Sequence, residues 1–135
     1  MRRPAKEIIE KAGKLDDFTI DYGTAVLALP FADYCAEFCR FYRIGKPKFG
    51  LVPSPDGFRG TLREVCGYSV WEPIAEKTEE IFGVPDRVTV PDDVRKPLDR
   101  LEGCGGGHGP FYCMFDIMFC EYDGFVLCFM SGSND

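Results

Sequence analysis

The sequence predicts an α+β fold: a single domain, residues 1–135, in which three or four short helices pack on an antiparallel sheet. A C-terminal β-hairpin at about 111–131 sits at its centre. Three observations predict this. Asp123-Gly124 lies between two dense apolar runs, FYCMFDIMFCE and FVLCFMSGSND, and Asp-Gly between such runs is a hairpin signal. Trp71, Ile74, Ala75, Thr78 and Phe82 repeat at helical spacing, while Glu76, Lys77, Glu79 and Glu80 fall on the other face. The chain has 135 residues, 45% of them hydrophobic and 12 of them Phe, enough to bury an aromatic core without staples.

Taken in order, residues 4–12 predict a first helix, with Pro4 in its first turn, Ala5, Ile8, Ile9 and Ala12 on one face, and Gly13 as its stop. Phe18 to Ile20 reads as a short strand before the turn at Asp21-Tyr22-Gly23. Thr24 to Leu29 is apolar and too short for periodicity to separate strand from helix, and Pro30 interrupts either one. Asp33 caps a helix to about Arg43, with Tyr34, Cys35, Phe38, Phe41 and Tyr42 as a core-facing stripe. After Gly45 the chain is extended over Phe49 to Val52, and Pro53 to Gly57 is a loop. Thr61 to Cys66 is a brief helical turn. Ser69-Val70-Trp71-Glu72 has the capping-box pattern and opens the helix of 71–82, which Gly83 ends. Arg87 to Val90 alternates as a strand, Asp92 to Leu101 forms another short helix, and a glycine-rich segment leads into the hairpin.

In that hairpin a two-residue turn sets Tyr122 opposite Phe125, Cys120 opposite Leu127, Phe119 opposite Cys128 and Asp116 opposite Ser131. Both faces are then apolar, so either a helix layer or a partner covers the second one. Asp116 is the charge among apolar neighbours, with Ser131 or a loop amide as its expected partner.

Net charge is -6, and it is unevenly spread. Residues 1–67 carry eleven Lys/Arg and nine Asp/Glu, while residues 68–135 carry five and thirteen. An acidic half fits a basic partner and argues against nucleic acid. The basic residues Arg40, Arg43, Lys46, Lys48, Arg59 and Arg63, interleaved with Tyr42, Phe49 and Phe58, form no known nucleic-acid motif. The basic start is followed by further charges rather than an apolar stretch, and no uncharged run approaches the ~20 residues of a membrane span. A cytoplasmic protein is expected, its seven cysteines free thiols.

Catalytic chemistry finds little support. Gly103-Cys104-Gly105-Gly106-Gly107-His108-Gly109 places His108 where a dinucleotide loop needs glycine, and it joins helix to strand rather than strand to helix. Cys35 and Cys39, one helical turn apart, with Cys104 and His108, make a Cys3His set suited to zinc, without the paired C-x2-C knuckles of structural sites. Any Cys–His pair must use His108, the single histidine, and Cys104 has no helix N-terminus behind it to activate it. No catalytic residues and no cofactor are expected.

The ending FDIMFCEYDGFVLCFMSGSND, an aromatic hairpin with a short polar tail, resembles small bacterial proteins, some carried on mobile elements and some acting as immunity-type proteins. The likeness covers about the last 25 residues and assigns no functional residue. The leading expectation is a non-enzymatic protein-binding module, immunity- or inhibitor-like, with Asp116, Tyr122, Asp123 and Trp71 as candidate contact residues. The alternatives are a zinc- or thiol-dependent enzyme centred on Cys104 and His108, and a structural homodimer built through the hairpin face.

Overall fold

A computed structural model describes residues 5–41, 51–66, 70–91 and 114–133. Helix α1 (Ala5–Thr19) runs straight through Gly13. A mid-helix glycine costs about 1 kcal/mol. Burial of Ile8, Ala12, Leu15 and Thr19 along one stripe outweighs it. The same continuation removes the strand expected at Phe18 to Ile20. Those residues close α1 and enter a 3-10 turn, Ile20–Tyr22, which ends at Gly23 with φ 81. Ile9 was expected on the buried face and lies 63% exposed instead.

Strand β1 (Thr24–Pro30) leads through Phe31 and Asp33 into helix α2 (Tyr34–Phe41). Asp33 adopts φ 53, and its carbonyl accepts the Glu37 N–H at 3.1 Å. Strand β2 (Leu51–Pro53) follows, then helix α3 (Gly57–Cys66). The brief turn expected at 61–66 begins earlier because Phe58, Thr61, Leu62, Val65 and Cys66 form one buried stripe. Helix α4 (Trp71–Phe82) buries Ile74, Ala75, Thr78 and Phe82 as the spacing predicts. Its N-cap is Val70, without a side-chain capping bond, and Ser69 lies outside the described residues. Gly83 stops the helix at φ 85 with its N–H on the Glu79 carbonyl. Strand β3 (Arg87–Pro91) completes this part, and strands β4 (Met114–Tyr122) and β5 (Phe125–Ser133) form the hairpin.

The sheet order is β1-β5-β4-β3-β2, antiparallel at every pairing. The hairpin is central, and its register is the expected one, Tyr122 on Phe125 through Asp116 on Ser131. Gly124, at φ 89, supplies the positive dihedral of the turn. Helices cover both faces. Met118, Cys120, Tyr122, Phe125, Leu127 and Phe129 join the residues of α1, α3 and α4. On the other face Ile117, Phe119, Val126 and Cys128 meet Leu29 of β1 and Tyr34 and Phe38 of α2. Phe38 stands edge-on to Phe119 at 5.7 Å, a favoured aromatic geometry. Residues 117–122 and 125–129 are each no more than 7% exposed within the chain. Within the chain, that stretch of the hairpin is already covered on both faces. No described helix is long and apolar enough to cross a membrane.

Candidate functional site

Three of the sequence candidates change meaning in the fold. Asp116 is exposed, not enclosed in apolar surroundings. The ladder of β3 on β4 covers Thr89 to Arg87 against Phe119 to Glu121, and Asp116 lies beyond it. Tyr122 is buried, stacked on Phe125 at 5.0 Å, with its hydroxyl donating to the Gly83 carbonyl at 2.7 Å. It holds the end of α4 to the hairpin and also lines the cleft at the hairpin turn. Trp71 is half-buried against the core at the start of α4. Asp123 is exposed at the hairpin turn, at the opposite end of β4 from Asp116.

The buried carboxylate of the hairpin is Glu121. It sits on the α2 side of the sheet, directly opposite Arg87 of β3. Arg87 grips it with two parallel bonds, Nε to Oε1 and Nη2 to Oε2, both 3.2 Å. The Tyr34 hydroxyl donates to Oε2 at 2.7 Å and shares a 2.8 Å bond with the Thr89 hydroxyl. Burial and the adjoining Glu121 push the Tyr34 phenol up to about 12, so it stays a donor. Arg87 is held protonated by the same carboxylate. The backbone carbonyl of Glu121 also accepts the Asp86 N–H at 2.8 Å. Four side chains from α2, β3 and β4 thus form one satisfied network, and the helix is pinned to the sheet by it.

Glu121 lies on the wall of a cleft of about 810 Å³ at the turn end of the hairpin. Its floor and sides are apolar: Ile8 and Ile9 from α1, Ala28 to Pro30 from β1, then Phe31, and Phe125 from β5. Every charged residue on its lining is acidic: Asp86, Glu121 and Asp123. Ile9 at 63% and Phe31 at 48% exposure stand at its mouth. Beside it, across Ile9, Ala28, Leu29 and Pro30, a second cleft of about 590 Å³ follows the outer side of β1 between α1 and α2. Asp16, Glu37 and Arg40 are its charged residues, and Arg40 is paired with Glu37.

Of the residues singled out for metal or thiol chemistry, only the Cys35 side chain lies among those described. Cys104 and His108 lie outside the described residues, as do Tyr42, Arg43, Lys46, Lys48 and Phe49 of the basic cluster. Cys35 is half-buried on α2, and no group of three or more ligand side chains occurs among the described residues. Burial pushes the Cys66 thiol up to about 11 and raises Cys120 and Cys128 well above the usual thiol range, the opposite of an activated nucleophile. Phe58, offered as a stacking ring, is in the core, and Arg59 is engaged by both oxygens of Glu79.

Phe31, Ile9 and the edge of β1 were not among the sequence candidates. A usable signal existed: Phe31 follows the strand-ending Pro30 and precedes Ala32-Asp33, an aromatic residue placed in a turn. Fold and cleft together define an α+β sheet protein with a joined pair of apolar clefts rimmed by carboxylates. Compared with known proteins, the chain matches no family model, no curated protein and no solved structure.

Proposed function

We propose that the protein is a non-enzymatic binding module, immunity- or inhibitor-like and cytoplasmic, whose contact surface is the larger cleft. Its partner is a protein that presents an apolar segment flanked by lysine or arginine. One observation supports this reading above the rest: large apolar side chains, Ile9 and Phe31, stand exposed around a concavity whose charged lining is entirely acidic. Exposed apolar groups around a concave site favour a binding role. Carboxylates at the rim select a basic partner and speed its encounter. The buried Tyr34–Glu121–Arg87 network gives one wall a fixed shape, which limits the ordering cost of binding.

The test is paired capture from host lysate with wild type and Phe31→Asp, followed by affinity measurement on each captured protein. Phe31 is half exposed, so this variant keeps its fold. The reading requires a basic protein held by wild type and lost by at least about tenfold on Phe31→Asp, an effect expected of a contact-centre aromatic. Partners that bind both forms equally would remove the cleft from the contact surface.

A further inference from the structure

The edge of the sheet at β1 has an unusual distribution of backbone bonds. In an antiparallel ladder a residue's N–H and C=O point the same way, and successive residues alternate. The Val26 N–H donates to Asp16 Oδ1 at 2.8 Å, and the Thr24 carbonyl accepts the Thr19 hydroxyl at 2.8 Å. Residues 24, 26, 28 and 30 therefore turn their backbone groups outward, and 25, 27 and 29 turn theirs to β5. Side chains of α1 cap the outward groups at the start of the strand. Pro30, with no N–H, closes its end. Between these guards the Ala28 N–H, the Ala28 carbonyl and the Val26 carbonyl point away from the β5 ladder and lie outside the two α1 caps.

Ala28 is also where the two clefts meet, one opening toward the hairpin turn and one running between α1 and α2. Among the described residues, these outward backbone groups thus border clefts with apolar walls. Five of the six charged residues lining that space are acidic: Asp16, Glu37, Asp86, Glu121 and Asp123. Arg40 is paired with Glu37, Glu121 with Arg87, and Asp16 with the Val26 N–H, so Asp86 and Asp123 carry the acidic character of that space.

We infer that the partner docks by strand addition. A short extended apolar segment, with basic residues at its ends, lies alongside β1 as a sixth strand and exchanges backbone bonds with Ala28. This rests on the cleft being the contact surface and says how it is filled. One partner residue takes both Ala28 bonds, and a neighbouring N–H reaches the Val26 carbonyl. Alternate side chains then fall into the two clefts, as the period of a strand requires. The guards at Thr24, Val26 and Pro30 hold the segment to one short register. They also keep a fully open edge from recruiting further copies of the chain.

The probe is a panel of synthetic peptides about seven residues long, with Leu, Val or Phe at the centre and Lys at both ends, titrated into the full chain. Saturation is expected to slow hydrogen exchange of the Ala28 amide by about tenfold or more. The amides of Ala25, Leu27 and Leu29, already in the β5 ladder, change little. N-methylation walked along the bound peptide should weaken it about fivefold or more at alternate positions only, the loss of one backbone bond each time. Ala28→Pro, which deletes an outward N–H and no ladder bond, should weaken the same peptide similarly, and the N-methyl series stands if that variant does not fold. Peptides that bind in a Phe31-dependent way, yet leave Ala28 exchange and the N-methyl series flat, overturn strand addition and spare the cleft. Peptides that bind regardless of Phe31→Asp count against the cleft itself. Failure of the whole panel at about 1 mM overturns strand addition, and the cleft reading then depends on the Phe31→Asp capture alone.

Discussion

Tyr34→Phe removes one oxygen from the network that ties α2 to the sheet. That hydroxyl donates to Glu121 Oε2 at 2.7 Å and is bonded to the Thr89 hydroxyl at 2.8 Å. A hydrogen bond to a charged group contributes about 1.5–3 kcal/mol, and stranding a buried hydroxyl such as that of Thr89 costs about 1–3 kcal/mol. The ring itself stays, still 5.0 Å from Phe119, and the apolar replacement recovers part of the loss. The expected net destabilisation is about 2 kcal/mol, read from urea unfolding as a lower midpoint at unchanged slope. Glu121→Gln should be strongly coupled to it, so the double variant loses about 1 kcal/mol less than the two single losses together. Alkaline pH supplies a second reading. The phenol has its ordinary value of 10.0 in the unfolded chain and about 12 in the folded one. Only the folded state holds the proton in between, so this contribution is full below pH ~10 and is lost as pH rises toward ~12. With screening allowed for at the partly accessible hydroxyl, wild type should lose about 1–2 kcal/mol more than Tyr34→Phe across that window. A variant within about 0.5 kcal/mol of wild type, with a parallel alkaline profile, would refute the claim that this network pins the helix.

Three further outcomes follow from the packing. Gly13→Ala should raise stability by about 0.5–1 kcal/mol, because Gly13 is helical with open space around its Cβ position, whereas Gly124→Ala should lower it by about 1 kcal/mol at φ 89. Thermal or urea midpoints moving in the same direction for both would contradict that assignment. Phe129→Ala, at a fully buried position of β5, should cost about 3–5 kcal/mol, and a loss under about 1.5 kcal/mol would mean the core is not packed there. Cys66, Cys120 and Cys128 should resist alkylation at pH ~8 in the native protein and react once it is unfolded in urea, with rapid native labelling at any of them counting against their burial.

The hairpin was legible to single-residue register because an Asp-Gly turn leaves one way to pair two apolar runs. Helix α4 was legible because its stripe and its stop at Gly83 agree. Where readings failed, tertiary burial overrode a local signal. Gly13 argues for a stop, and the stripe through Leu15 and Thr19 carries α1 past it. Asp116 and Glu121 look alike in a strand, but they lie on opposite faces, and β3 and Tyr34 of α2 reach only Glu121. The site was the least legible part. Its walls come from α1, β1 and the hairpin turn, which are distant in the chain, and the outward groups of Ala28 are backbone atoms with no signature in residue type.

The strand order has a temporal consequence. The strand latest in sequence, β5, lies between β1 and β4, so Val26 and Leu29 have no neighbours in the sheet until Phe129 and Val126 have been made. Translation proceeds from the N-terminus, and until β5 emerges the first strand displays its β5-facing margin and its apolar side chains to the crowded cell. A chain this dependent on pairing across its whole length folds slowly for its size. During that interval Asp16 and Thr19, reaching from the adjacent helix, already cover one margin of the waiting strand.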